Sequence, residues 1–255
     1  MEDKNNSRNI IMGLDISTVC IGICVLEDDG SDYGKILELT HINPKIPNKI
    51  KGIEALFLKK KIFNIEFLRK WEKVGVKRVI IESPLLRSNN VNTVSTLLQF
   101  NGMVSDSIYN TLGIVPDYIS SYDARKFSFP EFMAIRKFGK DGAFYEKNKI
   151  LSSIKKNQFA LFGSYPWDIE KKTLIQSKVS EIFPNINWIY DNNGEMKKEN
   201  FDACDAYVAC LGFLNKEKYG EIDMKSSNIK VNDNSITYDV TYWNKTEERI
   251  TYLKE

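Results

Sequence analysis

Four carboxylates, Asp15, Glu82, Asp202 and Asp205, stand at the ends or starts of apolar segments. Asp15 closes the first apolar run of the chain, and Glu82 ends the short run Val79-Ile80-Ile81. Asp202 and Asp205 open the segment Phe201-Asp202-Ala203-Cys204-Asp205-Ala206-Tyr207-Val208-Ala209. An i, i+3 spacing puts these two on one helical face about a turn apart, so both can point at a single site. Ala203, Ala206 and Ala209 keep that helix slim and allow close approach to a sheet. Taken singly, each acid has an ordinary explanation: turn chemistry for Asp15, a solvated loop for Glu82, the helix macrodipole for Asp202. Asp205 fits none of them, because it lies among alanines and apolar residues with no evident basic neighbour in sequence. Grouped carboxylates without counter-charges repel one another and call for a cation. Their hard oxygens suit Mg²⁺, with Mn²⁺ able to substitute, and not zinc. Two such ions about 4 Å apart would activate a water and stabilise the leaving oxygen of a phosphodiester. The expectation is a two-ion site in which Asp15, Glu82, Asp202 and Asp205 are both ligands and catalytic groups.

Strands and helices must bring those residues together. Residues 9–26 read as two β-branched strands joined at Asp15-Ile16-Ser17-Thr18, with a turn following at Asp28-Asp29-Gly30-Ser31. A third strand covers residues 35–41, a basic helix residues 49–73, and a short buried strand residues 79–82. Residues 92–112 form a helix stopped at Gly113, and residues 116–120 form a further strand. Three strands, helix, strand, helix, strand is an α/β order with an antiparallel start and a parallel continuation. Residues 126–172, rich in aromatics and scattered glycines and prolines, read as an insertion with one or two short helices. Residues 173–183 form a helix ended by Pro184, and residues 200–214 a strong one. From Gly220 the chain reads as a polar tail with a hairpin near Asn232-Asp233-Asn234. The expected organisation is one domain over residues 1–220, interrupted at 126–172, and a C-terminal extension over 221–255.

Bulk properties exclude more than they identify. A composition of 42% hydrophobic and 27% charged residues is that of a globular chain. No run of about 18 apolar residues exists, which argues against a membrane span, and the polar start lacks a signal-type stretch, so a cytoplasmic location is expected. Cys20, Cys24, Cys204 and Cys210 lie inside apolar runs without zinc-knuckle spacing and read as buried reduced thiols. The net charge of +2 does not announce a nucleic-acid partner. Residues 45–78 hold 11 Lys/Arg against 3 Glu, a pattern that suits a solvated helix face or a phosphate-facing surface.

Gly13-Leu14-Asp15-Ile16-Ser17 followed by Gly22-Ile23 resembles the first-hairpin motif of RuvC-type Holliday junction resolvases. Ile80-Ile81-Glu82, with a later helix holding Gln99 and Gly102, resembles their second acidic motif. Val115 to Arg125 resembles the next strand of that family and the Tyr/Ala-rich segment after it, and Asp202-Ala203-Cys204-Asp205-Ala206 resembles the closing paired-Asp helix. The matching segments run in the same order over about 150 residues. The resemblance implies an RNase H-like fold: a mixed sheet with antiparallel first three strands, flanked by helices. It also implies a metal-dependent endodeoxyribonuclease that resolves four-way junctions as a homodimer, each subunit cutting one strand. By position, Lys178 becomes a phosphate contact and Leu85 or Leu86 the apolar wedge at the junction centre. Arg87, Arg125 and Lys126 join them as expected DNA contacts.

Other readings compete with this one. The RNase H-like fold also serves nucleases for RNA–DNA hybrids, flaps and single strands. Actin and sugar-kinase-like nucleotide-binding proteins share a Gly-x-Asp-x-Ser/Thr first hairpin, but this chain shows no convincing second phosphate-binding copy.

Overall fold

The computed structural model describes residues 8–84, 90–132, 171–197, 199–222, 225–232, 235–243 and 245–252. The described residues fall into two compact units, one holding residues 8–128 and 172–214, the other 129–132, 171 and 215–252.

The first unit is built on a five-stranded sheet. Its strands are β1 (Asn9–Ile16), β2 (Ile21–Asp28), β3 (Lys35–Ile42), β4 (Arg78–Glu82) and β5 (Asp117–Ile119), in the spatial order β3-β2-β1-β4-β5. The first three pair antiparallel, while β1–β4 and β4–β5 are parallel. This is the mixed sheet expected from the sequence. Helix α1 (Gly52–Phe63) continues through a π-helical turn (Asn64–Leu68) and a last helical turn (Arg69–Trp71). The later helices are α2 (Val91–Leu112), α3 (Ser121–Ser128), α4 (Lys171–Ile182) and α5 (Glu199–Tyr219). Asn90 caps α2 by accepting from the Asn92 and Thr93 amides, and Gly113 ends it at φ 71°, the left-handed geometry glycine tolerates best.

β1 and β4 are apolar on both faces because both faces are covered. Ile10, Met12, Leu14 and Ile16 of β1 pack with Val79 and Ile81 of β4 against Leu56, Phe63, Phe67 and Trp71 along the α1 segment and Phe100, Val104 and Ile108 of α2. The strand period of two sends Gly13 and Asp15 to the other face. There α5 lies almost on the backbone. A Cβ at Gly13 would overlap the Ala206 carbonyl, and one at Gly22 would overlap the Asp202 carbonyl. Gly22 is also the β2 partner of Asp15. The small residues foreseen on this helix do permit the approach. All four cysteines are buried and free, as expected.

The basic helix spends much of its charge internally. Lys60 pairs with Asp106 at 2.7 Å, Lys70 with Glu38 at 2.7 Å, and Lys59 donates to the Thr18 carbonyl in the β1–β2 turn.

In the second unit, β6 (Lys225–Val231), β7 (Ser235–Tyr242) and β8 (Lys245–Tyr252) form an antiparallel meander. The sequence suggested one hairpin in a polar tail, and the Asn232 amide does close a turn onto the Ser235 carbonyl at 2.8 Å. The third strand went unseen because Lys245-Thr246-Glu247-Glu248-Arg249 offers no apolar alternation. Tyr238 and Tyr242 are buried, and Tyr219 stacks on Trp243 with ring centroids 4.6 Å apart. Among the described residues no helix is long and apolar enough to cross a membrane.

Candidate active site

Asp15 leaves the sheet at the end of β1, on the α5 face with Gly13. Glu82 ends the neighbouring parallel strand β4, on the same face as Ile80. α5 presents Asp202 and Asp205 from its first two turns, held against the sheet by the Gly22 contact. Three elements distant in sequence thus bring four acids into one electrostatic group, in which Asp15 feels Glu82, Asp205 and Asp202.

Burial and mutual repulsion act together there. Burial, followed by the charges of Glu82, Asp205 and Asp202, pushes the Asp15 carboxyl well above the usual range, and Lys172 opposes the rise. Burial and then Asp205 push Glu82 up to about 7, against the pull of Arg125, a hydrogen bond from Ser121 and the charge of Lys172. Asp205 is the most deeply set, with its side chain only 4% exposed. Burial, and then the hydrogen bond it donates to Asp202, raises the pKa of the Cys20 thiol.

Asp205 has two cations in three dimensions where the sequence suggested none. Arg125 of α3 reaches Oδ1 at 3.4 Å, and Lys172 of α4 reaches Oδ2 at 3.0 Å and Asp202 Oδ1 at 3.9 Å. The expectation of an uncompensated acid is therefore corrected: its partners come from elements 80 and 33 residues earlier in the chain. α3 is positioned for this by its own close contact with α5. A Cβ at Gly212 would overlap the Ala124 carbonyl, and Ser128 Oγ donates to the Val208 carbonyl at 2.8 Å. Burial draws the Lys172 ammonium down, but Asp205, Asp15 and Asp202 outweigh it and its pKa rises.

Lys172 escaped sequence reasoning because it sat at the edge of a presumed insertion. No spacing along the sequence points to it, because it meets the acids only through packing. Lys178, the lysine singled out from the sequence, lies further along α4 and is half-buried. Arg125, expected on DNA, faces inward to Asp205, and Lys126 lies 5.0 Å from the centre of the Phe127 ring. Leu85, Leu86 and Arg87 lie outside the described residues.

Four carboxylates against two cations leave a formal charge of −2 when all are ionised. Carboxylate oxygens with surplus negative charge are the donor set of a hard divalent ion, so the residues fit Mg²⁺ or Mn²⁺ in kind. Among the described residues, however, no three His, Cys, Asp or Glu side chains are gathered closely enough to form a ready metal cage. The acids share a field without yet sharing a point.

No family model matches the chain. No curated protein matches it in sequence. Solved structures do match in shape. The chain aligns with Thermus thermophilus RuvC in complex with a Holliday junction substrate at TM-score 0.50 and 8% identity, covering 83% of this chain and 96% of that one. A second T. thermophilus RuvC structure aligns at TM-score 0.47 and 12% identity, with the same coverage. A Ppx/GppA family member from Aquifex aeolicus aligns at TM-score 0.37 and 8% identity, covering 83% and 90%. At such identities the first of these likenesses speaks for the fold alone. The mixed sheet, its strand order and that likeness agree: the chain has the RNase H-like fold, and at the level of fold it is similar to RuvC.

Proposed function

We propose that the chain is a metal-dependent endodeoxyribonuclease that cuts branched DNA, with four-way junctions as its substrate. The observation that carries the reading is the convergence of Asp15, Glu82, Asp202 and Asp205 from β1, β4 and α5. Buried acids that raise one another's pKa values mark a candidate functional site. The likeness to a RuvC structure that holds a Holliday junction supports the choice of substrate.

In this reading Asp15, Glu82, Asp202 and Asp205 hold Mg²⁺ or Mn²⁺, as a pair of ions in the two-ion form of the site. Bound divalent ions would supply a more acidic water and neutralise charge on the scissile phosphate. The remaining work belongs to the chain. Gly13 and Gly22 let α5 approach, so that the helix acids and the strand acids face the same space. Arg125 fixes the Asp205 carboxylate in place. Ser121 holds Glu82 by a hydrogen bond. Lys178, Lys126, Arg87, Leu85 and Leu86 remain the proposed DNA contacts.

Paired cuts in a symmetric junction need two sites related by a two-fold axis, so the reading includes a homodimer. Val91, Leu98 and Tyr109 of α2 are exposed, and their spacing puts them near one helical face that a second copy would cover. Junction, nicked flap, RNA–DNA hybrid and linear duplex, each end-labelled and offered with Mg²⁺, separate the possibilities. Symmetric nicks on the junction alone are expected. Preferential cutting of hybrid or flap would keep the nuclease and overturn the junction as substrate.

A further inference from the structure

Both oxygens of the Asp205 carboxylate are held by cations, Oδ1 by Arg125 at 3.4 Å and Oδ2 by Lys172 at 3.0 Å. The same ammonium stands 3.9 Å from Oδ1 of Asp202. A divalent ion seeking these two acids meets positive charge already in place. Each Asp205 oxygen keeps a second lone pair, but a divalent ion bound there would sit beside a like charge. Withdrawal of one cation therefore favours it, and the two differ in how easily they can withdraw.

Arg125 is 17% exposed and projects from α3, whose backbone is pinned to α5 at Gly212 and through Ser128. Its guanidinium is planar and pre-organised for a carboxylate. Lys172 is 42% exposed, and its ammonium sits on a flexible four-carbon stem. Of the two, Lys172 is the more easily displaced.

We propose that Lys172 is a displaceable counter-ion, neutralising Asp202 and Asp205 in the metal-free protein and swinging away when a divalent ion binds them. The inference rests on the metal-dependent reading above. It links two events. A nucleic-acid phosphate near the site offers the ammonium another anion, so phosphate binding and metal binding favour each other through Lys172.

The test is Mn²⁺ binding to the full chain by titration calorimetry, for the wild type, Lys172→Met and Lys172→Arg, with metal-free melting measured alongside. Lys172→Met should bind Mn²⁺ about fivefold tighter or more, the size of a modest coupling between sites. Its metal-free form should melt below the wild type, with the gap closing as Mn²⁺ is added. Lys172→Arg, carrying a fork that grips a carboxylate more firmly, should bind Mn²⁺ more weakly than the wild type. If Lys172→Met does not fold, Lys172→Gln carries the same comparison. Equal or weaker Mn²⁺ binding in the folded neutral variant would overturn the displaceable counter-ion and leave the metal site standing. No Mn²⁺ binding in any of the proteins would overturn both.

Discussion

Asp15 and Glu82 come from strand ends, Asp202 and Asp205 from a helix, and the two pairs meet their charge in different ways. On the helix side Lys172 reaches both acids and Arg125 grips Asp205. On the strand side burial and neighbouring carboxylates prevail, so Asp15 is held well above its usual range and Glu82 is pushed up to about 7. The helix edge brings its own counter-ions, and the strand edge is short of them. A divalent ion at the strand edge would relieve repulsion that the fold leaves in place. The contrast teaches that the contact ion pairs of this site serve α5, while α3 and α4 act on β1 and β4 too weakly to offset burial and repulsion.

The strongest way to break the comparison is at the strand edge. Asp15→Asn should lower Mg²⁺-dependent cleavage by about a thousandfold, or about 4 kcal/mol of barrier. Because it removes a repelling charge, the metal-free variant should melt no lower than the wild type. Cleavage and melting measured on one preparation check both halves. A variant that cuts normally would remove Asp15 from the site.

Next in size is the packing that joins the two edges. Gly22→Ala places a methyl group into the Asp202 backbone, and overpacking of this kind costs about 1–3 kcal/mol. Denaturant unfolding should show the loss, with cleavage reduced as α5 is pushed from the sheet. The same substitution at Gly102, where the space around the Cβ position is open, should not destabilise and serves as the control.

A smaller effect appears with pH. Glu82 has an ordinary value of 4.5 and a folded value of about 7. Below the lower value the carboxyl keeps its proton in both states. Between the two, the unfolded chain gives up the proton that the folded chain retains, so stability falls as pH rises through this window. Asp15 adds to the same trend, since its folded pKa is also raised. In a chelator the melting temperature should drop on the order of 5 °C from about pH 5 to about pH 8, and Mg²⁺ should flatten the slope. A metal-free protein that gains stability over this range would contradict the account of the strand edge.

The least effect belongs to an ion pair outside the site. Lys60–Asp106, between α1 and α2, is short at 2.7 Å, but Asp106 is 55% exposed. Lys60→Met should leave the melting temperature within the scatter of an ordinary surface substitution and cleavage untouched. Surface pairs and site pairs of the same chemistry would then be separated by experiment.

How much of this was legible in the sequence depends on which forces are local. The apolar runs of β1, β2 and β4, the Gly113 stop and the alanine spacing of α5 are written in neighbouring residues, and the structure returns them. The four acids were legible for the same reason, each being the break in an apolar run. Their compensation was not. Arg125 and Lys172 meet Asp205 only through packing fixed by Gly13, Gly22 and Gly212, and no spacing along the chain encodes that meeting. β8 was missed for a different reason, since a strand with polar residues on both faces carries no periodic signal.

The most direct test of the central claim is a labelled four-way junction incubated with wild type and Asp205→Asn, in Mg²⁺ and in chelator. The account predicts paired, symmetric nicks by the wild type in Mg²⁺ and none in the other three reactions. Cutting that persists in Asp205→Asn or in chelator would show that the acidic cluster is not the seat of the chemistry.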